Sequence, residues 1–69
     1  NMIPVTSSNL ESVGYEYDTL YIRFNKGGLY AYYNVPVDVY NALLQAPSKG
    51  KFFHVYIKNN IDTEKLVNQ

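Results

Sequence analysis

An alternating apolar stretch followed by a glycine-containing turn constrains the fold of this chain more than any other feature. Leu20, Ile22 and Phe24 alternate with more polar side chains, which is the period-two pattern of a half-buried strand. The turn sequence Asn25-Lys26-Gly27-Gly28 then separates them from a second apolar stretch, Leu29 to Tyr33. Consecutive glycines between apolar runs favour a hairpin because glycine accepts positive φ. The sequence therefore predicts a pair of antiparallel strands.

A further strand is predicted before this hairpin. Within Ser7 to Tyr17, the side chains of Val13, Tyr15 and Tyr17 fall on one face of an extended chain. Gly14 among them indicates a bulge or a close backbone approach. The three strands together predict a small antiparallel sheet.

Two short helices are predicted after the sheet, where the apolar period changes. Pro36 suits the first turn of a helix, and Asp38 complements the helix dipole there. The second predicted helix begins after Ser48 and runs from about Lys49 to Lys58. Its predicted buried stripe consists of Phe52, Phe53, Tyr56 and Ile57.

The predicted fold class is α+β, with a small three-stranded antiparallel sheet (β-β-β) followed by two short helices packed on one face. Residues 2–60 are predicted to form a single domain, and residues 61–69 a C-terminal tail that is either a short helix or partly frayed. A chain of 69 residues buries only about 60% of its unfolded surface, so its core must be dense in large side chains. The eight tyrosines and three phenylalanines supply that area.

Composition limits the classes of protein to which the chain can belong. Without cysteine it forms neither a disulfide framework nor a cysteine-based zinc site. The sequence shows no charged-then-apolar leader, and its apolar runs are far shorter than a membrane span. We therefore expect a cytoplasmic protein without a membrane or metal partner.

Charge is balanced overall but unevenly distributed. The formal net charge is zero. Residues 1–18 hold three acids and no base, whereas residues 49–60 hold three lysines and no acid. A typical nucleic-acid module is strongly basic throughout, so this distribution predicts local attraction of an anion at one end.

The first candidate site is the tyrosine-rich stretch around residues 30–33. Tyr30 and Tyr32 share one face of the predicted strand, and Tyr21 on the neighbouring strand is available to join a row. Exposed aromatic rows on sheets stack nucleobases. The alternative is that these rings pack across strands or beneath the helices. We predict Tyr21, Tyr30 and Tyr32 as stacking residues, with that alternative open.

The second candidate site is the start of the second helix, where free N–H groups and the dipole favour an anion. The predicted phosphate-binding residues are Ser48, Lys49, Gly50, Lys51, His54 and Lys58. Helical spacing would place Lys51, His54 and Lys58 on one stripe. The alternative is a capped helix with a solvated basic face. The glycine spacing of a P-loop is missing.

No standard catalytic constellation is present in the sequence. His54 is the single histidine, and no nucleophile or orienting acid accompanies it in a recognisable pattern. The carboxylates are scattered and lack the spacing of metal ligands. We therefore predict a binding protein that is not an enzyme and needs no cofactor.

Several short motifs occur in an order that resembles the KTSC domain family, which is named after the C-terminus of some lysyl-tRNA synthetases. They are Ser7-Ser8, Val13-Gly14-Tyr15, Leu20 to Phe24, Tyr30-Ala31-Tyr32, Val35-Pro36 and Ala46 to Phe53. The resemblance runs from about Ile3 to Lys58. It implies RNA binding, because of the attachment of such domains to a synthetase.

These observations predict a non-enzymatic binding module for a phosphate-bearing ligand, either a nucleotide or a short RNA. A chain this small encloses a ligand poorly, so we expect the pocket to form in a homo-oligomer, for example to sequester a nucleotide. The alternative is a protein-protein interaction domain whose exposed tyrosines form an anchor patch.

Overall fold

The computed structural model describes residues 2–59 and 62–67. Five antiparallel strands form one sheet in chain order, β1-β2-β3-β4-β5, and the helices lie between β4 and β5. The elements are β1 Ile3–Pro4, β2 Leu10–Glu16, β3 Thr19–Phe24, β4 Leu29–Tyr32, α1 Val37–Gln45, α2 Lys49–Phe52, a π-helical segment Phe53–Ile57, and β5 Thr63–Val67. The α+β class and the three central strands are confirmed. The predicted number of strands is wrong, because β1 and β5 add one strand at each edge.

The β3–β4 hairpin sets the register of the sheet. Leu20 lies opposite Tyr32, and Ile22 lies opposite Tyr30, so these four side chains share one face. The helices cover that face, where Leu20 and Ile22 are fully buried against Leu43 of α1. The core therefore lies between the sheet and the helical layer.

The glycines at the β3–β4 turn do not act as predicted. Neither Gly27 nor Gly28 has a positive φ. Gly27 instead allows a close approach, since a Cβ there would lie 3.3 Å from Cβ of Phe24. The bulge expected at Gly14 lies earlier, between Leu10 and Ser12. The positive φ predicted at the turn glycines and the bulge predicted at Gly14 are therefore wrong, whereas the hairpin itself is confirmed. The close backbone approach that was the alternative at Gly14 stays a prediction.

Positive φ occurs instead at the β2–β3 turn. Tyr17 and Asp18 have φ values of 50° and 62°, as in the two-residue turns that suit the twist of a hairpin. Asparagine and glycine usually occupy such positions, and an aromatic residue there is uncommon. Tyr17 is also 91% exposed, so packing does not offset its unfavourable backbone conformation.

Substituting Tyr17→Asn is therefore expected to stabilise the fold by roughly 0.5–1 kcal/mol, because asparagine tolerates this conformation at lower cost. For a domain of this size, the midpoint of thermal unfolding should rise by about 2–8 °C. Circular dichroism recorded during thermal unfolding measures this shift of the midpoint. Tyr17→Ala is the control, since it removes the ring but keeps a Cβ in the left-handed region. An equal gain in both variants would contradict the backbone explanation.

The helical layer differs from prediction in its second half. α1 follows Pro36 and carries Asp38 in its first turn, as predicted. The second helical stretch covers residues 49–57, close to the predicted bounds, but only α2 is α-helical, and the π-helical segment follows it directly. In this segment the N–H of Lys58 donates to the carbonyl of Phe53 at 2.8 Å, five residues earlier.

The side chains of the predicted buried stripe are buried to different extents. Phe53 and Ile57 belong to the core. Tyr56, predicted to be buried, is 68% exposed.

The segment assigned to a C-terminal tail contains strand β5. Tyr30 pairs with Lys65, and Ala31 pairs with Glu64, so β5 extends the sheet beside β4. Side chains support this pairing: the Tyr33 hydroxyl donates to Oε1 of Glu64 at 2.6 Å. The part of the predicted tail at residues 61, 68 and 69 lies outside the described residues.

Candidate functional site

The three tyrosines predicted to stack on a ligand do not share one surface. Tyr30 and Tyr32 lie on the face of the sheet that the helices cover, and Tyr32 is only 4% exposed. Tyr21 pairs with Ala31 across β3 and β4, which places it on the opposite face. The predicted row of Tyr21, Tyr30 and Tyr32 is therefore not formed, and the packing alternative describes Tyr32.

Tyr32 belongs to an aromatic cluster beneath the helices. Its ring lies 6.3 Å from that of Tyr30 and 5.5 Å from that of Phe53, measured between centroids. Burial, with a smaller contribution from Tyr30, raises the pKa of the Tyr32 phenol to about 12. The phenol thus stays protonated through the neutral range as part of the core.

The opposite face of the sheet holds a smaller polar arrangement. The hydrogen bond to Glu64, together with loss of solvent, raises the pKa of the Tyr33 phenol. An electrostatic contribution from Tyr21 raises this pKa by a smaller amount. The Tyr33–Glu64 hydrogen bond thus connects the residue after β4 to β5.

At the start of α2, several predicted phosphate ligands have structural partners. Ser48 is the N-cap, and its Oγ accepts from the N–H of Lys51 at 3.4 Å. Nζ of Lys49 donates to the carbonyl of Ala46 at 3.3 Å, at the end of α1. Gly50 is buried, and a Cβ there would lie 2.8 Å from Nδ2 of Asn9. These groups therefore join α1, α2 and the loop before β2.

Lys51, His54 and Lys58 are exposed, but the predicted stripe of three cations is not formed as one binding surface. The π-helical turn lies between them, so α-helical spacing no longer describes their relative positions. Lys51 lines one groove and His54 lines another, whereas Lys58 lines neither of these two. The two grooves are therefore separate candidate sites on either side of the same helical segment.

We call the groove that contains Lys51 the aromatic groove. Its residues are the Ala46-Pro47 loop, Ser48, Lys51, Phe52, Val55 and Tyr56, and its volume is about 440 Å³. The rings of Phe52 and Tyr56 lie 4.7 Å apart with a tilt of 40°. Val55 is 59% exposed beside them. The groove thus presents an accessible aromatic surface next to one cation.

Sequence reasoning missed Tyr56 and Val55 as surface residues of this groove. Val55 and Tyr56 lie on the exposed side of the helical segment, whereas Phe53 and Ile57 are buried. An α-helical pattern assigned Tyr56 to the core because it follows Phe52 by four residues. Residues 51–58 contain no proline or glycine that would have signalled the change to π-helical geometry.

Other kinds of site have less support in the described part of the chain. Residues 2–59 and 62–67 contain no group of three histidine, cysteine or acidic side chains placed to hold a metal ion. Among these residues there is also no helix long and apolar enough to cross a bilayer.

The fold defines a small α+β domain with two separate grooves on its helical segment. The KTSC domain matches residues 6–60, and the chain belongs to this family. A solved structure of a KTSC domain protein from Yersinia pestis is 37% identical, covers 96% of both chains and superposes with a TM-score of 0.91.

Related sequences include both long and short proteins. A lysine–tRNA ligase of Nostoc sp. is 44% identical over 48 residues, which are 70% of this chain but 9% of the ligase. A protein from Tsukamurella paurometabola is 42% identical over 59 residues, 83% of this chain and 88% of that protein. The chain therefore spans a small part of the ligases and most of the shorter relative.

Proposed function

We propose that this domain is a non-enzymatic, cytoplasmic binding module for a nucleotide unit, either free or within a short RNA. The observation that carries the proposal is the placement of Lys51 in one groove with the paired rings of half-buried Phe52 and exposed Tyr56. A base stacks on an accessible aromatic face, and an ammonium group attracts the phosphate that accompanies it.

The local charge supports an anionic ligand. Between residues 39 and 59 there are three lysines and no acid. None of the described residues that line the aromatic groove carries a carboxylate. Since the whole chain has no net charge, attraction is local, and this favours a ligand with few phosphates over a long nucleic acid.

The relatives support the RNA form of the ligand. Lysine–tRNA ligases that contain a similar segment act on tRNA by name, and this domain would add a contact to RNA. A groove open on one side leaves part of a bound nucleotide exposed, so pairing of identical chains would enclose it.

Binding of a short single-stranded RNA should therefore depend on both groups in the aromatic groove. We expect Tyr56→Ala to weaken binding by about 5- to 150-fold, because a stacked base contributes roughly 1–3 kcal/mol. Lys51→Ala should weaken binding and reduce the slope of log affinity against log salt by about 0.7. Fluorescence anisotropy with a labelled RNA over a salt series measures both effects.

Lys58→Ala is the matched control, since it removes an exposed lysine that does not line this groove. It should affect binding less than Lys51→Ala. Equal losses in the two lysine variants, with no loss in Tyr56→Ala, would refute the aromatic groove as the site.

A second candidate function is a protein-protein interaction, which the exposed Val55 and Tyr56 favour. Tyrosine is enriched among the residues that dominate interface energies. Such binding would change little with salt, whereas RNA binding would weaken steeply. The salt series therefore distinguishes the two functions.

A further inference from the structure

A second groove lies on the other side of the helical segment, away from the aromatic groove. We call it the polar groove; its polar residues are Ser8, Asn9, Asn25, Lys26 and His54, and its volume is about 250 Å³. Pockets for drug-sized ligands usually measure about 300–1,000 Å³, so this groove suits one small chemical group or a single sugar.

Two walls of the polar groove are joined by hydrogen bonds. The N–H of Asn25 donates to the carbonyl of Asn9 at 2.9 Å, and Nδ2 of Asn25 donates to the carbonyl of Ser7 at 3.2 Å. Oγ of Ser7 accepts from the N–H of Asn9 and of Leu10, each at 3.2 Å. The loop before β2 and the β3–β4 turn thus hold each other in place.

The third wall is the helical segment, which packs tightly against the other two. Gly50 of α2 allows the close approach of Asn9. The rings of Phe24 and Phe53 meet edge to face, with centroids 5.3 Å apart, and both line the groove. A groove whose walls contact one another in this way is preorganised, which reduces the entropic cost of binding.

The chemistry of the polar groove points to an oxyanion. Lys26 contributes an ammonium group, and His54 contributes an imidazole, from two different walls. Ser8 and Asn9 are exposed there and add a hydroxyl and an amide. None of the described lining residues is acidic.

We propose that the polar groove binds the phosphate monoester of a phosphorylated sugar. Lys26 and His54 contact the phosphate, Ser8 and Asn9 bond to sugar hydroxyls, and Phe24 and Phe53 pack against the sugar carbons. This site shares no lining residue with the aromatic groove and does not depend on the function proposed for it. The phosphorylated sugar is either a free metabolite or the 5′ end of an RNA, which carry the same group.

The test is a titration of ¹⁵N-labelled protein by NMR at constant ionic strength. Ribose 5-phosphate and a short RNA with a 5′-phosphate are the probes, with ribose and the same RNA bearing a 5′-hydroxyl as their controls. We expect saturable shifts of the backbone amides of Ser8, Asn9, Lys26 and His54 with at least one phosphorylated probe. If ribose 5-phosphate saturates the shifts, a free sugar phosphate is sufficient as the ligand of the polar groove. If only the phosphorylated RNA saturates them, the ligand is the 5′ end of an RNA.

Two lysine variants distinguish a specific phosphate-binding site from nonspecific electrostatic attraction of the phosphate. Lys26→Ala is expected to weaken binding of the phosphorylated probe by about tenfold, which is the usual effect of losing a charge-assisted hydrogen bond. Lys58 is an exposed lysine outside the polar groove. The affinity of Lys58→Ala for the probe should therefore stay within about twofold of the wild-type affinity, a difference below 0.5 kcal/mol. Shifts that fail to saturate, or equal losses in both variants, would overturn the proposal. Tyr56→Ala should leave the titration with ribose 5-phosphate unchanged, because Tyr56 does not line the polar groove, although this variant weakens RNA binding at the aromatic groove. Failure at one groove is therefore distinguishable from failure at the other.

Discussion

Leu43→Ala is expected to destabilise the domain by about 2–5 kcal/mol, the usual cost of truncating a fully buried leucine. Leu43 is 0% exposed and is the buried residue of α1. Its removal leaves a cavity between α1 and the sheet. A domain of this size has a free energy of unfolding of only about 3–10 kcal/mol, so a large fraction of that stability should be lost.

Urea denaturation followed by circular dichroism measures this loss. Val37→Ala is a suitable control in the same helix, because Val37 is 50% exposed and its truncation removes little buried area. A loss below about 1 kcal/mol for Leu43→Ala would mean that α1 contributes little to the core, contrary to the usual range for such sites.

The second large effect is a loss of stability at alkaline pH. The pKa of Tyr32 is about 12 in the folded domain, against about 10 in an unfolded chain. Between these values the folded state holds a proton that the unfolded state has released, so the free energy of unfolding falls as pH rises. The stability associated with Tyr32 is fully present below pH 10 and decreases through pH 12, by about 2–3 kcal/mol in total.

Denaturation curves at several pH values between 9 and 12 test this expectation for Tyr32 and its pKa of about 12. Tyr32→Phe keeps the ring but removes the titrating group, so its stability should fall less over this interval. Tyr56→Phe is the matched control, because Tyr56 is 68% exposed, and it should follow the wild type. If Tyr32→Phe also follows the wild type, the alkaline loss arises from other groups. Tyr15 and Tyr33, whose pKa values are also raised, would then be examined in the same way.

The central sheet was predictable because its strands carry a strong period of two. Leu20 and Ile22 alternate with partly exposed residues in β3, and β4 follows after a short turn. β5 gave no such signal, since all its residues are exposed. Backbone pairing with β4 and contacts such as Lys65 over the ring of Tyr30, at 5.6 Å, hold it at the edge. Such contacts depend on tertiary structure and leave no periodic pattern in the sequence.

The binding residues were predicted less well than the fold. Alternation correctly separates Tyr30 and Tyr32 from their neighbours, but it does not say which face the helices cover. That choice places Tyr32 in the core. The sequence also could not distinguish capping by Ser48 from phosphate binding, because both use the same group at the same position.

The order of the strands in the sheet is also their order along the chain. Each of β1 to β4 therefore finds its partner within a short loop, and hairpins of this kind close in about 1–10 μs. β5 alone must wait for both helices before it reaches β4. During synthesis on the ribosome, the central strands can thus pair as they emerge, and the last edge of the sheet is added only after the helical layer has left the exit tunnel.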